Sequence, residues 1–274
     1  MTAAAMTERP AAFTPSANYK LSAAGLLRSE WTKLWSLRST WIVLLCAVVF
    51  SAGLGALISG TIPVEDVGIS GAGDAIEIAM SGVGLSSIFI AVLGILTITG
   101  EYSTGSIRST MSAVPRRLSV LWSKAAVFGA VVAVLFTVMV FATFFLSQAL
   151  LDGTALGGVS LGEDGVTRAL FGYVAMIVYL TLLAIAIGSI LRNSAGSIGF
   201  YIGVIMILPQ LALLLPWEWV SDVTPYAPGN VSNTITYVDP AGQALGVGES
   251  WLWMGIWLVV AYGLAAVLLK RRDV

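Results

Sequence analysis

Few strings in this sequence could do chemistry, and most of them lack the partners that chemistry needs. Gly158-Val159-Ser160-Leu161-Gly162 matches G-x-S-x-G, the turn that presents a nucleophilic serine. Such a serine needs a base, and the chain contains no histidine. A lysine base is conceivable, but none lies in the acidic loop that holds Ser160. A Gly-rich turn is the reading that survives. Gly71-Ala72-Gly73-Asp74 gives G-x-G-D, which as half of an aspartate pair needs a second Asp inside an apolar segment, and none is there. Cys46 is the single cysteine and sits in an apolar run, so no disulfide forms within the chain. Without histidine the usual zinc, copper and haem ligand sets are missing too, and no metal site is expected. No G-x-x-x-x-G-K-[ST] phosphate loop occurs, so any ATP hydrolysis tied to this protein belongs to another chain.

One stretch remains that is dense in chemistry. It runs Gly100-Glu101-Tyr102-Ser103-Thr104-Gly105-Ser106-Ile107-Arg108, and Pro115-Arg116-Arg117 follows. Glu101 stands at the edge of an apolar run, where burying a carboxylate is costly unless it is paired. Arg108, or a basic group of a partner, would relieve that cost. Gly105 allows a sharp bend or close backbone approach. Pro115 ends any short helix. A solvated basic loop that merely sets topology accounts for the same residues equally well.

The elements around this stretch belong in lipid. The chain is 57% hydrophobic and 11% charged, with mean hydropathy +0.90. Soluble domains carry about 25% charged residues, so this chain could not cover a water-facing surface. A bilayer core about 30 Å thick takes about 20 apolar helical residues. Six stretches qualify, at 41–58, 78–99, 125–150, 169–191, 195–216 and 251–269. The fold class expected is therefore an all-α membrane protein with six transmembrane helices. Residues 1–22 read as a disordered cytoplasmic tail, with no cleaved signal peptide.

Charge sets the orientation. With the N-terminus inside, 13 of the 14 basic residues fall on the inner side and 11 of the 15 acids on the outer side. The positive-inside rule then gives both ends in the cytoplasm. Trp41 and Trp122 fall at inner ends of spans, and Trp217, Trp219, Trp251 and Trp253 at outer ends, where indole rings favour the headgroup layer. Before the first span, residues 23–40 form an amphipathic helix. Leu27, Trp31, Leu34 and Trp35 share one face, and Arg28, Ser29, Thr32, Lys33 and Ser36 the other. That pattern suits a helix lying in the interface, although a positive flank alone would also set topology. Arg38 falls on the apolar side, so the helix ends or bends there.

Three blocks resemble the ABC-2-type permease family of ATP-binding-cassette exporters. The first is Leu27-Arg28-Ser29-Glu30-Trp31-Thr32-Lys33-Leu34 with Leu37-Arg38-Ser39-Thr40-Trp41. The second is Gly100-Glu101-Tyr102, Thr104-Gly105-Ser106-Ile107-Arg108 and Pro115-Arg116-Arg117, with Lys124 following. The third is the C-terminal Lys270-Arg271-Arg272-Asp273-Val274 after a sixth span. The resemblance implies a subunit with no ATPase and no bound cofactor of its own. ATP and Mg would sit on a separate nucleotide-binding subunit, and a second permease subunit would complete a homo- or heterodimer. It implies a bacterial cytoplasmic (inner) membrane location and no nucleic-acid partner. Glu101, Tyr102, Gly105, Ile107 and Arg108 would belong to a short coupling helix between spans two and three. Trp217–Ser250 would carry short re-entrant elements, with Pro225 and Pro228 as turn formers.

The spans hold no Asp, Glu, Lys or Arg away from their ends, which points away from ion-coupled transport and toward a cargo of apolar character. Ser86, Ser87, Pro209 and Gln210 could line a pathway, or could serve helix–helix hydrogen bonding. Gly199 and Gly203 form G-x-x-x-G in the fifth span, a spacing that permits close contact within the chain or across a dimer. A carrier independent of ATP and a non-transporting scaffold or enzyme subunit are the competing functions.

Overall fold

A backbone in hydrocarbon must satisfy its own polar groups, and a single apolar run does so only as a helix. The computed structural model describes residues 22–64, 68–107 and 117–271. Every regular element among them is helical, and six helices are long and apolar enough to cross a membrane. The chain is a multi-pass helical membrane protein. The expected tail lies outside the described residues apart from Ser22, and so do Arg108, Pro115 and Arg116.

The first element, α1, covers Ala23–Ser36 and is opened by Ser22, whose Oγ accepts from the Gly25 N–H at 3.0 Å. It stops at Leu37, which is extended, and the first span α2 (Arg38–Thr61) begins at once. The expected interfacial helix is thus shorter by four residues, because Leu37 turns the chain and gives Arg38–Thr40 to the span. A short helix α3 (Ala72–Ala79) precedes α4 (Val83–Ser103). The second span was expected to start at Ile78; the structure breaks it at 80–82 instead. Gly82 there lies against the backbone of Phe50 and Ser51 in α2, and the contact leaves no room for a side chain.

The third span α5 is one helix, Arg117–Leu150, and starts eight residues earlier than hydropathy suggests. α6 covers Val166–Leu191. Arg192 in the left-handed conformation then reverses the chain, and Asn193 caps the next helix through its side chain to the Gly196 N–H at 2.7 Å. The tight hairpin expected from Arg192-Asn193-Ser194 is therefore present. The fifth span α7 (Ser194–Ala212) is not uniform. Tyr201–Ile207 is π-helical between two α-helical pieces. Pro209 follows it and has no N–H to donate to the preceding turn. A short helix α8 (Glu218–Val223) and the last span α9 (Val247–Arg271) complete the order.

α6 is the centre of the bundle. It packs on α4, α5 and α9, and Tyr179, Ile177 and Ile185 on it are fully buried beside Ile90, Ile95 and Phe136. In its apolar stretch 67% of residues are buried, against 22% in α7 and in α9. Those two helices therefore leave most of their sides to lipid or to another chain.

Candidate functional site

Four charged side chains from three helices meet at the end of the bundle where the basic residues gather. Glu30 and Lys33 come from α1, Glu101 from the last turn of α4, and Lys124 from the second turn of α5. The Lys124 ammonium donates to Glu30 Oε2 and to Glu101 Oε1, both at 2.6 Å. The Lys33 ammonium donates to Glu30 Oε1 at 2.9 Å and to Glu101 Oε1 at 3.0 Å. Two cations and two anions alternate in a closed ring.

The ring is mostly out of water. The side chains of Lys124, Glu30 and Glu101 are 4%, 7% and 12% exposed, while that of Lys33 is 39% exposed. Burial pulls the Lys33 ammonium down, but the hydrogen bonds and charges of Glu30 and Glu101 outweigh it and hold it above the ordinary 10.5. Lys33 therefore keeps its charge across the neutral range. Glu101 Oε2 is shielded from solvent and has no hydrogen-bond partner among the described residues. An unmet carboxylate acceptor costs about 1–3 kcal/mol or more.

Glu101 had been paired in expectation with Arg108 or a partner's basic group. The structure instead gives it Lys33 and Lys124, and Arg108 lies outside the described residues. Glu30 and Lys124 were not singled out by the sequence as members of the site. Their signal was the 2.6 Å pairing of residues 94 apart, which only tertiary structure creates.

The rest of the expected coupling stretch is partly visible. Glu101 and Tyr102 lie in the last turn of the span helix, not on a separate short helix. Gly105 has φ of +72°, a left-handed turn that an L side chain would strain, and Ile107 beyond it is 4% exposed. The Arg192 guanidinium sits 5.1 Å over the Tyr102 ring. Glu101 and Tyr102 thus connect α4 with α1, α5 and the α6–α7 hairpin.

α1 has three faces rather than the two its periodicity suggested. Arg28, Thr32 and Ser36 are exposed. Leu27 and Trp31 are exposed as well, with Trp31 edge-on to Trp35 at 5.5 Å and Trp35 against Trp41 at 4.6 Å. The third face carries Glu30, Lys33 and Leu34 onto the bundle, and Leu34 is 6% exposed. Lys33 is therefore a member of the ring and not one of the free polar-face residues.

The opposite end holds a second device. After α8 the chain turns back into the bundle. The Tyr179 hydroxyl, midway along α6, donates to the Pro228 carbonyl at 2.9 Å. From there the segment climbs along α6: Gly172 lies against the Ile235 carbonyl, and Arg168 donates to the carbonyls of Tyr237 and Val238 at 2.8 Å each. The excursion runs along α6 from Tyr179 to Arg168, roughly 17 Å at 1.5 Å per residue. On its other side Gly229 packs on the Ile205 carbonyl, the one Pro209 cannot bond, and Gln210 Nε2 donates to Asn230 Oδ1 at 3.0 Å.

The remaining expected site residues are scattered. Ser86 is buried and donates to the Ala47 carbonyl of α2 at 2.6 Å, and Ser87 donates to the Gly84 carbonyl within its own helix. Gly199 and Gly203 are exposed, and nothing in the chain lies within 4 Å of where their side chains would begin. No protein-family model matches the chain, and no curated protein matches it.

Proposed function

We propose that this chain is the permease subunit of an ATP-driven exporter in the bacterial cytoplasmic membrane, with ATP and Mg on a separate nucleotide-binding subunit. One observation carries the reading. The stretch beginning at Glu101 is locked by ion pairs to α1 and α5 and through Tyr102 to the α6–α7 hairpin. A push on that stretch would move four helices together rather than bend one loop. Packed side chains and salt-bridge networks between rigid helices can carry motion from one to the next, and the buried ring is such a network. The charge distribution along the sequence supports placing this end in the cytoplasm, where a soluble ATPase would be. The lack of a phosphate loop in the chain supports a second chain as the energy source.

Two experiments test this. Isolation in mild detergent from the native membrane is expected to bring down a soluble chain with a phosphate loop; its consistent absence counts against the reading. In the reconstituted complex, Glu101→Ala is expected to leave insertion intact and to lower substrate-stimulated ATPase turnover about tenfold, as loss of about 1.4 kcal/mol of coupling would. Full stimulation and export by that variant would remove Glu101 from the mechanism.

The open faces of α7 and α9 support a second permease subunit as partner. Gly203→Leu is expected to leave the monomer's thermal stability unchanged, since the position faces open space within the chain, and to shift a dimer toward monomer in cross-linking. A variant that stays dimeric takes the Gly199–Gly203 face out of the interface.

A further inference from the structure

A groove of about 580 Å³ runs between α2 and α5 beside α1. Trp31, Trp35 and Trp41 stand at its end nearest α1, and Leu45, Val134 and Val138 wall the rest. Its lining holds no charged side chain among the described residues. The groove extends from Trp41 to Val48 on α2 and from Ala130 to Val138 on α5, roughly 10–12 Å at 1.5 Å per residue. One leaflet of a hydrocarbon core about 30 Å thick is about 15 Å deep, so the groove takes up most of a single leaflet. Its tryptophan end is tied together: Trp41 Nε1 donates to the Trp35 carbonyl at 3.3 Å, and the Trp35 ring packs on Trp31 and on Trp41. Indole rings favour the headgroup layer, which sets that end at the membrane surface.

Two arginines stand at the same end. Arg28 precedes Trp31 and Trp35 by three and seven residues on α1, and Arg38 precedes Trp41 and Leu45 by three and seven on α2. Residues so spaced share a helix face, so each stripe that walls the groove begins with an arginine. Both arginines are exposed, and neither forms an ion pair among the described residues. The nearby lysines differ, since Lys33 and Lys124 are taken up by Glu30 and Glu101.

We propose that this groove holds an acyl chain of an anionic phospholipid whose phosphate is bound by Arg28 and Arg38. The guanidinium fork matches phosphate oxygens and stays charged at every working pH. A zwitterionic lipid has the same phosphate but brings a cation toward two arginines. A second copy of this chain seated here by twofold symmetry would bring four unpaired arginines together. The bound lipid spans the bend at Leu37 and braces α1, the helix that carries Glu30 and Lys33 into the ion ring. The inference does not rest on the exporter reading.

The test uses the purified full chain, without any ATPase, exposed to phosphatidylglycerol and phosphatidylcholine of identical chains and weighed intact with its retained lipid. Phosphatidylglycerol is expected to be preferred. Arg28→Gln and Arg38→Gln should each lower that preference about fivefold, and the pair together about 25-fold, as loss of one and two basic contacts to an anionic lipid would. Arg271→Gln, on α9 at the basic end, should leave it unchanged. Phosphatidylglycerol bearing a diazirine in its acyl chain should label α2 between Trp41 and Val48 and α5 between Ala130 and Val138. Val134→Trp, which fills the groove and spares both arginines, should abolish that labelling. Equal retention of the two lipids, an equal loss in Arg271→Gln, or labelling spread evenly over the spans overturns the proposal. Cross-linking of Val134→Cys to a second copy, in a Cys46→Ala background, would give the groove to that copy and overturn it as well.

Discussion

Replacing Lys124 with Met will destabilise the protein by about 3–5 kcal/mol, the usual cost of removing one partner from a buried ion pair. Lys124 is the more deeply buried of the two cations, at 4% exposure, and bonds both carboxylates. Without it, Lys33 alone must balance Glu30 and Glu101, and a net negative charge remains in a site that excludes water. The loss comes from that stranded charge more than from the ring's own attraction, because desolvation offsets most of the Coulomb gain. Glu30→Gln with Lys124→Met should therefore recover much of the stability, leaving Lys33 and Glu101 as a neutral pair. Lys33→Met leaves the same excess of one carboxylate, but on the half-exposed side of the ring, where water can take the ammonium's place, so it should cost less than Lys124→Met. Unfolding monitored by circular dichroism in detergent, with heat or added denaturing surfactant, gives the ranking. A Lys124→Met protein as stable as the parent, or a double variant worse than the single, would show that the ring is not a closed, buried unit.

Gly172→Ala is expected to destabilise by about 1–3 kcal/mol, the cost of overpacking a site that cannot yield. The obstacle is the backbone carbonyl of Ile235, not a side chain that could rotate away. One methyl group there must push the returning segment off α6 and strain the Tyr179–Pro228 and Arg168–Tyr237 hydrogen bonds with it. Alanine is otherwise the better helix former by about 1 kcal/mol, so Gly203→Ala, facing open space, should be neutral or slightly stabilising. Protease sensitivity between Thr224 and Val238 should rise in the Gly172 variant only. Equal behaviour of the two variants would mean the segment does not rest on α6.

What the sequence revealed and what it hid divide along physical lines. The six spans were legible because lipid demands about 20 apolar residues whatever the tertiary fold. Even so, hydropathy could not see the break at 80–82, since Met80-Ser81-Gly82 lies between apolar stretches and a window of about 20 residues averages across it. Nor could it start α5 at Arg117, because Lys124 enters the bundle only by pairing with Glu30 and Glu101. Glu101 itself was recognisable as a carboxylate in need of a cation. Its cations lie 68 and 23 residues away, and no local spacing marks them. Periodicity found the apolar Trp–Leu face of α1 but could not show that Glu30 and Lys33 would form a third. Pro209 lacks an N–H and so disturbs the helix before it, but the seven-residue π-helical run there was not visible from one proline. Pro225 and Pro228 marked turns, while the depth of the excursion, as far as Tyr179, became clear only from the hydrogen bond that ends it.

The returning segment also sets an order for biogenesis. Tyr179 and Gly172 leave the ribosome roughly 50 and 60 residues, respectively, before the Pro228 and Ile235 carbonyls that cover them. Until α9 follows and anchors the far side, the glycine-lined groove of α6 stands open to acyl chains, and a nascent polypeptide halted near Leu215 would carry it bare. A chain ending before Pro228 therefore leaves this face of α6 uncovered, and arrival of the 228–238 stretch is what closes it.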